Sequence, residues 1–390
     1  MPRLVPFLAL AVFAMGTSEF MLAGVLPAIA ADLGVSVGAA GLLVSGFAIG
    51  MVVGAPVTAG MARRWPPHSA LLTFLTVFAA AHVVAALTTS FSVLLVTRVI
   101  SALASAGFLA VALAVAVASA EVGRGARALS MLLAGTTVAM VVGVPTGAFI
   151  GGQLDWRATF WIVTALCLPA LFAIAVARPS RTEVGDGRDH PALRAELGIL
   201  RDCRVAVLLV LTALVNAGTF GVLTYLAVTA GAVMSADWIP LVLMLFGAGA
   251  CGGVTVVGRF ADTRPWRLLM VGGPLLVVTW VLLGIGGSAA AVLVPLIGLA
   301  GLLAFGVGGT LISLAVGAAS GAPTMAGSYA TAALNVGAVM GPALAGVTLA
   351  AVGMSGPAWC AAAVTTVAVC GSMFPRLRAR QDQATSSTRG

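Results

Sequence analysis

The chain has 390 residues, of which 61% are hydrophobic and only 8% are charged. About a quarter of the residues in a soluble domain are charged, so this composition excludes a water-soluble protein. The formal net charge of +8 is carried by arginine, without any lysine. Because the arginines form no continuous basic face, we expect no nucleic-acid partner.

Twelve apolar stretches follow one another along the chain, each long enough to cross a lipid bilayer. A helix needs about 20 residues to cross about 30 Å of hydrocarbon. Long continuous apolar runs are typical of spanning helices, whereas the strands of a membrane barrel alternate apolar and polar residues. The sequence therefore predicts an all-α integral membrane protein. The predicted spans lie near residues 6–30, 38–61, 69–87, 91–118, 128–152, 158–177, 204–230, 238–259, 267–286, 290–319, 326–351 and 356–374.

The arginines are distributed unevenly around these spans. Eighteen of the twenty lie in the amino-terminal segment, in alternate loops or in the carboxyl tail, which share one side if the spans alternate. The opposite side keeps Arg157, and Arg98 lies inside the fourth span. Arginine is enriched in cytoplasmic loops. We therefore expect a multi-pass protein of the bacterial cytoplasmic membrane with both termini in the cytoplasm.

The first span contains Glu19, the only acidic residue deep within any span. A charged carboxylate at the membrane centre costs at least about 2.5–3.5 kcal/mol. Facing a water-filled cavity, pairing with a neighbouring group or binding a proton removes that cost. Glu19 is therefore our candidate for proton coupling and substrate binding, with a structural carboxylate paired to a neighbouring helix as the alternative. Met15 lies on the same helical face, which predicts an apolar pocket around the carboxylate.

Arg98 is placed about two turns inside the fourth span, roughly 11 Å from its end. Attraction between Arg98 and Glu19 would hold the carboxylate ionised until the cargo or a conformational change separated them. The alternative is that Arg98 extends its guanidinium to the membrane interface. No metal site is expected, because His82 in the third span, His68 in a loop and the five cysteines have no ligand spacing.

The fifth span carries glycines on a four-residue step at Gly143, Gly147 and Gly151, with Pro145 between the first two and Gly152 beside the last. Glycine costs a helix about 1 kcal/mol and proline about 3 kcal/mol. Two requirements could explain residues that are so unfavourable. Either another helix approaches this one very closely, or the helix bends.

A polar segment divides the twelve spans into two sets of six. A shift of about 198 residues aligns glycines and prolines of the two sets. The aligned pairs are Gly54 with Gly252, Gly60 with Gly258, Pro67 with Pro265 and, with a slip of one, Pro145 with Pro342. We therefore predict two six-helix pseudo-repeats. The predicted units are a first half at 1–177, a cytoplasmic linker at 178–203, a second half at 204–375 and a cytoplasmic tail at 376–390.

Three segments resemble the major facilitator superfamily, and the resemblance extends over essentially the whole chain. The loop from Gly258 to Arg267 is similar to a cytoplasmic Gly-x-x-x-Asp-Arg loop, although the equivalent loop at 60–68 lacks the aspartate. The glycines and proline of the fifth span resemble a motif of the twelve-helix drug/proton antiporter branch, which is associated with export. Residues 16–36 and 155–160 look like bacterial chloramphenicol-resistance and sugar-efflux permeases.

The resemblance implies a latch and a seam. Gly258, Asp262, Arg264 and Arg267 would form a cytoplasmic latch of charged contacts; alternatively, the arginines only fix the topology. In the resembled fold, span 2 meets span 11 and span 5 meets span 8 along the seam between the halves. All four of these spans contain ladders of small residues, which favours a sliding interface there. Ordinary packing is a sufficient explanation for any single ladder.

The resemblance also implies a substrate cavity lined by spans 4 and 7. Phe108, Phe220 and Tyr225 would stack there on an aromatic drug, with core packing as the alternative for each. Asn216 lies within one position of the repeat equivalent of Glu19. Its amide would hydrogen-bond a substrate, and the alternative is an interhelical packing contact. Asn335 in span 11 is a further polar candidate.

These features predict a secondary active transporter rather than an enzyme. We expect proton-driven efflux of a small amphipathic drug, chloramphenicol above all, by a monomer that uses no cofactor and draws its energy from the proton gradient. A sugar or metabolite exporter is the alternative, but such a site should contain more polar side chains than these spans offer. The motif of the fifth span argues against a proton-coupled importer, and no catalytic cluster supports an enzyme or receptor.

Overall fold

The computed structural model describes residues 4–62, 65–118, 135–136, 138–177, 202–261, 263–319 and 326–373. Within these ranges the secondary structure is helical, and it contains twelve α-helices. They are α1 (Val5–Asp32), α2 (Val37–Ala62), α3 (Pro67–Leu87), α4 (Phe91–Ala118), α5 (Val144–Gln153), α6 (Trp156–Val176), α7 (Cys203–Gly231), α8 (Ile239–Phe260), α9 (Pro265–Gly286), α10 (Ala290–Ala318), α11 (Ala326–Val352) and α12 (Gly356–Ser372).

The lengths of these helices match the thickness of a bilayer. In the described part of the chain, ten helices are long and apolar enough to cross a membrane. The last helix, α12, is apolar and has 17 residues. Helix α5 has 10 residues and continues from a π-helical turn, Ala139–Gly143. The predicted all-α membrane fold is confirmed.

The two halves repeat one pattern of helix packing. In the first half, α4 packs on α2 and α3, α6 packs on α3, and α1 packs on α5 and α6. In the second half, α10 packs on α8 and α9, α12 packs on α9, and α7 packs on α11 and α12. Each contact therefore recurs six helices later, as two six-helix pseudo-repeats require. The predicted linker and tail fall almost entirely outside the described residues, so the exact unit boundaries stay a prediction.

The halves meet along a seam formed by α1 with α7, α2 with α11, and α5 with α8. The pairing of span 2 with 11 and span 5 with 8 is thus the one expected from the resemblance. The chain turns between α1 and α2 at residues 33–36, and we call this end of the bundle the α1–α2 end. At this end Gly38 of α2 lies against Gly346 of α11.

The ladders of small residues contradict one expectation, because they mostly face helices of their own half. A Cβ atom on Gly50 of α2 would lie 2.6 Å from Ala102 of α4. On α8, Gly253 approaches the backbone of α10 at Leu302, and Gly341 of α11 approaches the backbone of α7 at Ala217. The ladders therefore hold each half together tightly. The prediction that they mark a sliding interface between the halves was wrong for these contacts.

Candidate functional site

Glu19 lies on α1, the helix that contacts α7 across the seam. Its side chain is half-buried, and among the described residues it has no hydrogen-bond or ion-pair partner. The next residue, Phe20, meets Phe220 of α7 with the ring centroids 6.1 Å apart. A carboxylate without a partner therefore stands beside an aromatic contact that joins the two halves.

Arg98 is buried in the first half, with 1% of its surface exposed. Its Nη1 atom donates to Ser18 Oγ at 2.7 Å, and its Nη2 atom donates to the Ser18 carbonyl oxygen at 3.0 Å. The guanidinium also lies 4.4 Å above the ring of Phe47, a favourable position for a cation. Arg98 thus binds the backbone of α1 and does not extend to the membrane interface, which excludes the alternative role.

The expected attraction between Arg98 and Glu19 takes an indirect form. The guanidinium binds the residue before Glu19 and makes no ion pair with the carboxylate, although the two groups are close enough for their charges to interact. Ser18 itself is fully buried and Glu19 is half-buried. Helix α1 therefore turns Ser18 toward the interior of the first half, whereas the next side chain, Glu19, is less buried.

His82 on α3 completes this group, and sequence reasoning missed it. Its Nε2 atom lies 2.7 Å from Ser18 Oγ, and its Nδ1 atom lies 2.8 Å from the Phe78 carbonyl oxygen. The imidazole also packs against Phe78 and Phe160, with ring centroids 4.2 and 5.7 Å away. In the sequence this histidine was weighed only as a metal ligand, and the described residues contain no metal-binding cluster. The argument that singled out Glu19, a polar group inside an apolar span, applies equally to His82 and could have found it.

The two predicted asparagines occupy the second half near the seam. Asn216 donates its Nδ2 hydrogen to the Leu334 carbonyl oxygen of α11 at 2.6 Å. Asn335 donates to the Thr331 carbonyl oxygen of its own helix at 2.9 Å. Asn216 lies one turn before Phe220 on α7, so it flanks the same aromatic contact as Glu19. The interhelical packing contact weighed for Asn216 is present.

Five of the predicted substrate residues offer little or no surface to a ligand in this conformation. Two of them, Phe220 and Asn335, have 7% and 8% of their surface exposed. Met15 and Phe108 lie in the hydrophobic core of the first half, with 4% and 0% of their surface exposed. Tyr225 is also fully buried, and its hydroxyl donates to the Pro342 carbonyl oxygen at 2.9 Å near the α1–α2 end. The placements of Phe108 and Tyr225 favour core packing, the alternative weighed for both, over contact with a drug.

The glycine ladder of the fifth span holds α1. A Cβ atom on Gly143 would lie 2.8 Å from Thr17 Oγ1, and one on Gly147 would lie 2.9 Å from the Cβ atom of Met21. Gly151 faces Val25 one turn further along α1. Gly152 faces no atom within 4 Å. The close approach predicted from the sequence is therefore made to the helix that carries Ser18 and Glu19.

A π-helical turn that ends at Gly143 interrupts the α-helical pattern of the fifth span, for which a bend was weighed. Pro145 follows it in the first turn of α5, where the missing N–H group of a proline is tolerated. π-Helical turns are frequent at functional sites. Of the two explanations weighed, the close approach is present, and the bend stays a prediction.

The predicted latch lies at the turn between α8 and α9. Arg264 and Arg267 are exposed and line a groove of about 340 Å³ with apolar side chains of α8, α9 and α10. A Cβ atom on Gly258 would meet no other atom within 4 Å. Asp262, the acid on which the latch depends, lies outside the described residues. The latch therefore stays a prediction.

Two six-helix halves that meet at a seam, with a half-buried carboxylate there and a buried arginine beside it, define a membrane transporter. The family model of the Major Facilitator Superfamily matches residues 8–332, and the chain belongs to this superfamily.

Relatives of similar length support this assignment. The chain is 52% identical to a chloramphenicol resistance protein of Streptomyces lividans, over 95% of both chains. It is 32% identical to YtbD of Bacillus subtilis, an uncharacterised transporter of this superfamily, over 96% of both chains. It is 28% identical to the inner membrane transport protein YdhP of Escherichia coli, over 89% of both.

Solved structures share the fold at low sequence identity. A bacterial homologue of the human lysosomal transporter Spinster, in an inward-facing and unoccupied conformation, superposes with a TM-score of 0.73 and 16% identity, covering 94% of this chain and 91% of that one. The nucleoside transporter NupG gives a TM-score of 0.75 and 13% identity, covering 95% and 99%.

Proposed function

We propose that the protein exports chloramphenicol, or a small amphipathic drug of the same kind, across the bacterial cytoplasmic membrane in exchange for protons. The substrate is supported by the identity of 52% to a chloramphenicol resistance protein over nearly the whole length of both chains. The coupling is carried by one observation, the half-buried Glu19 on the seam helix α1, which has no hydrogen-bond or ion-pair partner within the described part of the chain. Export of the drug would confer resistance.

The bias of the arginines supports the orientation. With both termini in the cytoplasm, the α1–α2 end faces outward and the turn between α8 and α9 faces inward. The cargo would bind between α1 and α7, where the half-buried Phe20 ring meets the buried Phe220 ring and Asn216 carries an amide. Opening of this contact would expose the aromatic surface. Such a site suits an aromatic molecule of mixed polarity better than a sugar.

The energy of the proton gradient is sufficient for this exchange. One proton that enters across 100 mV releases about 2.3 kcal/mol, and one pH unit adds about 1.4 kcal/mol. Together these support an outward drug gradient of about a few hundredfold for one-to-one exchange. Because the exchange of a neutral drug for a proton moves net charge, membrane voltage drives it.

The cycle follows from the position of Glu19. With the carboxylate ionised and the seam open to the cytoplasm, the drug binds between the halves. The halves then rock to open outward, and a proton from outside binds Glu19 and displaces the drug. The neutral carboxyl returns through the apolar seam at lower cost than a charge would, and it then releases the proton to the cytoplasm.

The test is transport by the purified monomer in proteoliposomes with an imposed proton gradient. The wild-type protein should concentrate labelled chloramphenicol, whereas Glu19→Gln, which cannot ionise, should allow only downhill movement. Asp237→Asn removes an exposed acid outside the seam and serves as the matched control. Uphill transport by Glu19→Gln would contradict the coupling role. Gradient-driven movement of a labelled sugar in place of chloramphenicol would contradict the substrate.

A further inference from the structure

Only one assignment of donors and acceptors is possible for the hydrogen bonds around Ser18. The Phe78 carbonyl oxygen only accepts, so the Nδ1 atom of His82 carries a proton and donates it. Arg98 only donates, so the Ser18 hydroxyl oxygen accepts from its Nη1 atom. The hydroxyl hydrogen of Ser18 is then available for the Nε2 atom of His82, 2.7 Å away. The order therefore runs from Arg98 through Ser18 and His82 to the carbonyl oxygen of Phe78.

This order requires a neutral imidazole with its proton on Nδ1. A second proton on Nε2 would leave the Ser18 hydroxyl hydrogen facing another donor. Ser18 is 0% exposed and His82 is 1% exposed, so water does not supply a replacement acceptor. A buried polar group without a partner is costly. Each member of the chain thus fixes the orientation of the next.

We propose that His82 is a positioning residue for the proton coupling described above, on which this inference rests. Through Ser18 it holds the Arg98 guanidinium on the backbone of α1, and so keeps it from pairing with Glu19. Without His82, the Ser18 hydroxyl loses its acceptor and the guanidinium loses an oriented partner. Only the bond from its Nη2 atom to the Ser18 carbonyl oxygen then holds Arg98 firmly. The Nη1 end can turn toward the carboxylate of the next residue, Glu19, and stabilise its charged form.

The ionisable groups on the elements around His82 support this assignment. Helix α1 contributes Glu19, α4 contributes Arg98, and α2 contributes no ionisable side chain in its described part. Helix α6 contributes the Cys167 thiol and Arg157, which is already paired with Asp32 at 2.8 Å. Glu19 is therefore the acid to which a released Arg98 would turn.

Infrared titration of the Glu19 carboxyl band tests the proposal directly, without any cargo. The band is assigned by its loss in Glu19→Gln. In His82→Leu the band of the protonated Glu19 carboxyl should appear only at a pH about one unit lower than in the wild type. The reason is that a neighbouring arginine stabilises the ionised carboxylate and shifts its titration by at least this amount. In His82→Gln the band should stay in place, because the amide oxygen accepts from Ser18 while the amide nitrogen donates to the Phe78 carbonyl oxygen.

Two further variants separate positioning from simple structural damage. Ser18→Ala should reproduce the shift of His82→Leu, and the double variant should shift no further, because both changes break one chain. His68→Leu is the matched control, since this histidine bonds the Ile174 carbonyl oxygen at 2.8 Å and touches neither Ser18 nor Arg98. An unmoved band in both Ser18→Ala and His82→Leu would overturn the proposal.

Nitrogen NMR of the imidazole gives an independent check. The chain has three histidines, so replacing His68 and His190 leaves the His82 signal alone. A neutral ring protonated on Nδ1 at pH 7 is expected, and a proton on Nε2 would overturn the proposal.

Efflux assays then distinguish a failure of the proposed function from a failure of the positioning role of His82. A shifted band without chloramphenicol efflux by the wild type would contradict the proposed substrate only. Efflux with an unmoved band would contradict the positioning role only.

Discussion

The substitution Gly346→Ala should open the α1–α2 end of the seam. A Cβ atom at this position would lie 2.6 Å from the Tyr225 hydroxyl oxygen and 3.3 Å from the Cα atom of Gly38. The first distance is shorter than a real carbon side chain tolerates. The hydroxyl is held in place by its bond to the Pro342 carbonyl oxygen at 2.9 Å, and its ring is fully buried. Helix α11 must therefore move away from α2 and α7.

The magnitude follows from the cost of overpacking, which is about 1–3 kcal/mol for an added methyl group in a packed site. Tyr225 belongs to the same half as Gly346, but its hydroxyl also donates to the Gly38 carbonyl oxygen of α2 at 3.4 Å, so α2 encloses it on the other side. The hydroxyl can yield to the new methyl group only when α2 moves away, so the cost falls mainly on the closed state. The ratio of open to closed molecules should rise by about 5- to 150-fold. The hydrogen bond from Ser45 Oγ of α2 to the Val339 carbonyl oxygen of α11, at 2.8 Å, also joins the two halves. Gly346→Ala does not alter this bond, so the bond limits the opening.

Electron-spin distance measurements between labels at Ser36 and Ala350 give the assay. Both residues are exposed and line one cleft at the α1–α2 end, and the five native cysteines are replaced first. Gly346→Ala should enlarge the long-distance fraction. The control Gly152→Ala, at a helical glycine that faces no atom within 4 Å, should leave the distances unchanged.

A double variant sharpens this test. Tyr225→Phe removes the oxygen atom that the new methyl group would meet, so it should relieve part of the effect of Gly346→Ala. Alone, it should open this end slightly, because it also deletes the hydrogen bond across the seam to the Gly38 carbonyl oxygen at 3.4 Å, a contact worth at most about 1 kcal/mol. An unchanged distance distribution in Gly346→Ala would refute the reasoning. So would a double variant that opens further than the sum of the single ones.

Three more outcomes are expected from the same structure. Gly147→Ala should lower the thermal midpoint and slow efflux, because its methyl group meets Met21 of α1 at 2.9 Å. The overpacking costs about 1–3 kcal/mol, and a midpoint equal to that of Gly152→Ala would contradict it. Phe220→Ala should raise the KM for chloramphenicol about 2- to 10-fold with little change in kcat, since an aromatic contact contributes about 0.5–1.5 kcal/mol; a fall in kcat alone would count against a binding role. Arg157→Ala should lower the thermal midpoint in low salt and less so in high salt, because it removes a partly exposed ion pair with Asp32 that salt screens. A salt-independent loss would point to its packing over the Trp156 ring instead.

The sequence by itself determined the membrane fold, because the bilayer imposes length and apolarity on every span. It also determined the repeat and pointed to Glu19, since an acid deep inside a span has few explanations. The glycines and the proline of the fifth span predicted either a close approach or a bend. None of these inferences requires knowing which helices are neighbours.

The tertiary structure decided which groups meet. Only packing reveals that the glycine ladder holds α1, and that Arg98 binds Ser18 instead of extending to the interface or pairing with Glu19. It also brings His82 to Ser18 across 64 positions of sequence. Span periodicity carries no information about such contacts, because they depend on how each helix is rotated against its neighbours. That rotation is set by the fit of small and large side chains between helices.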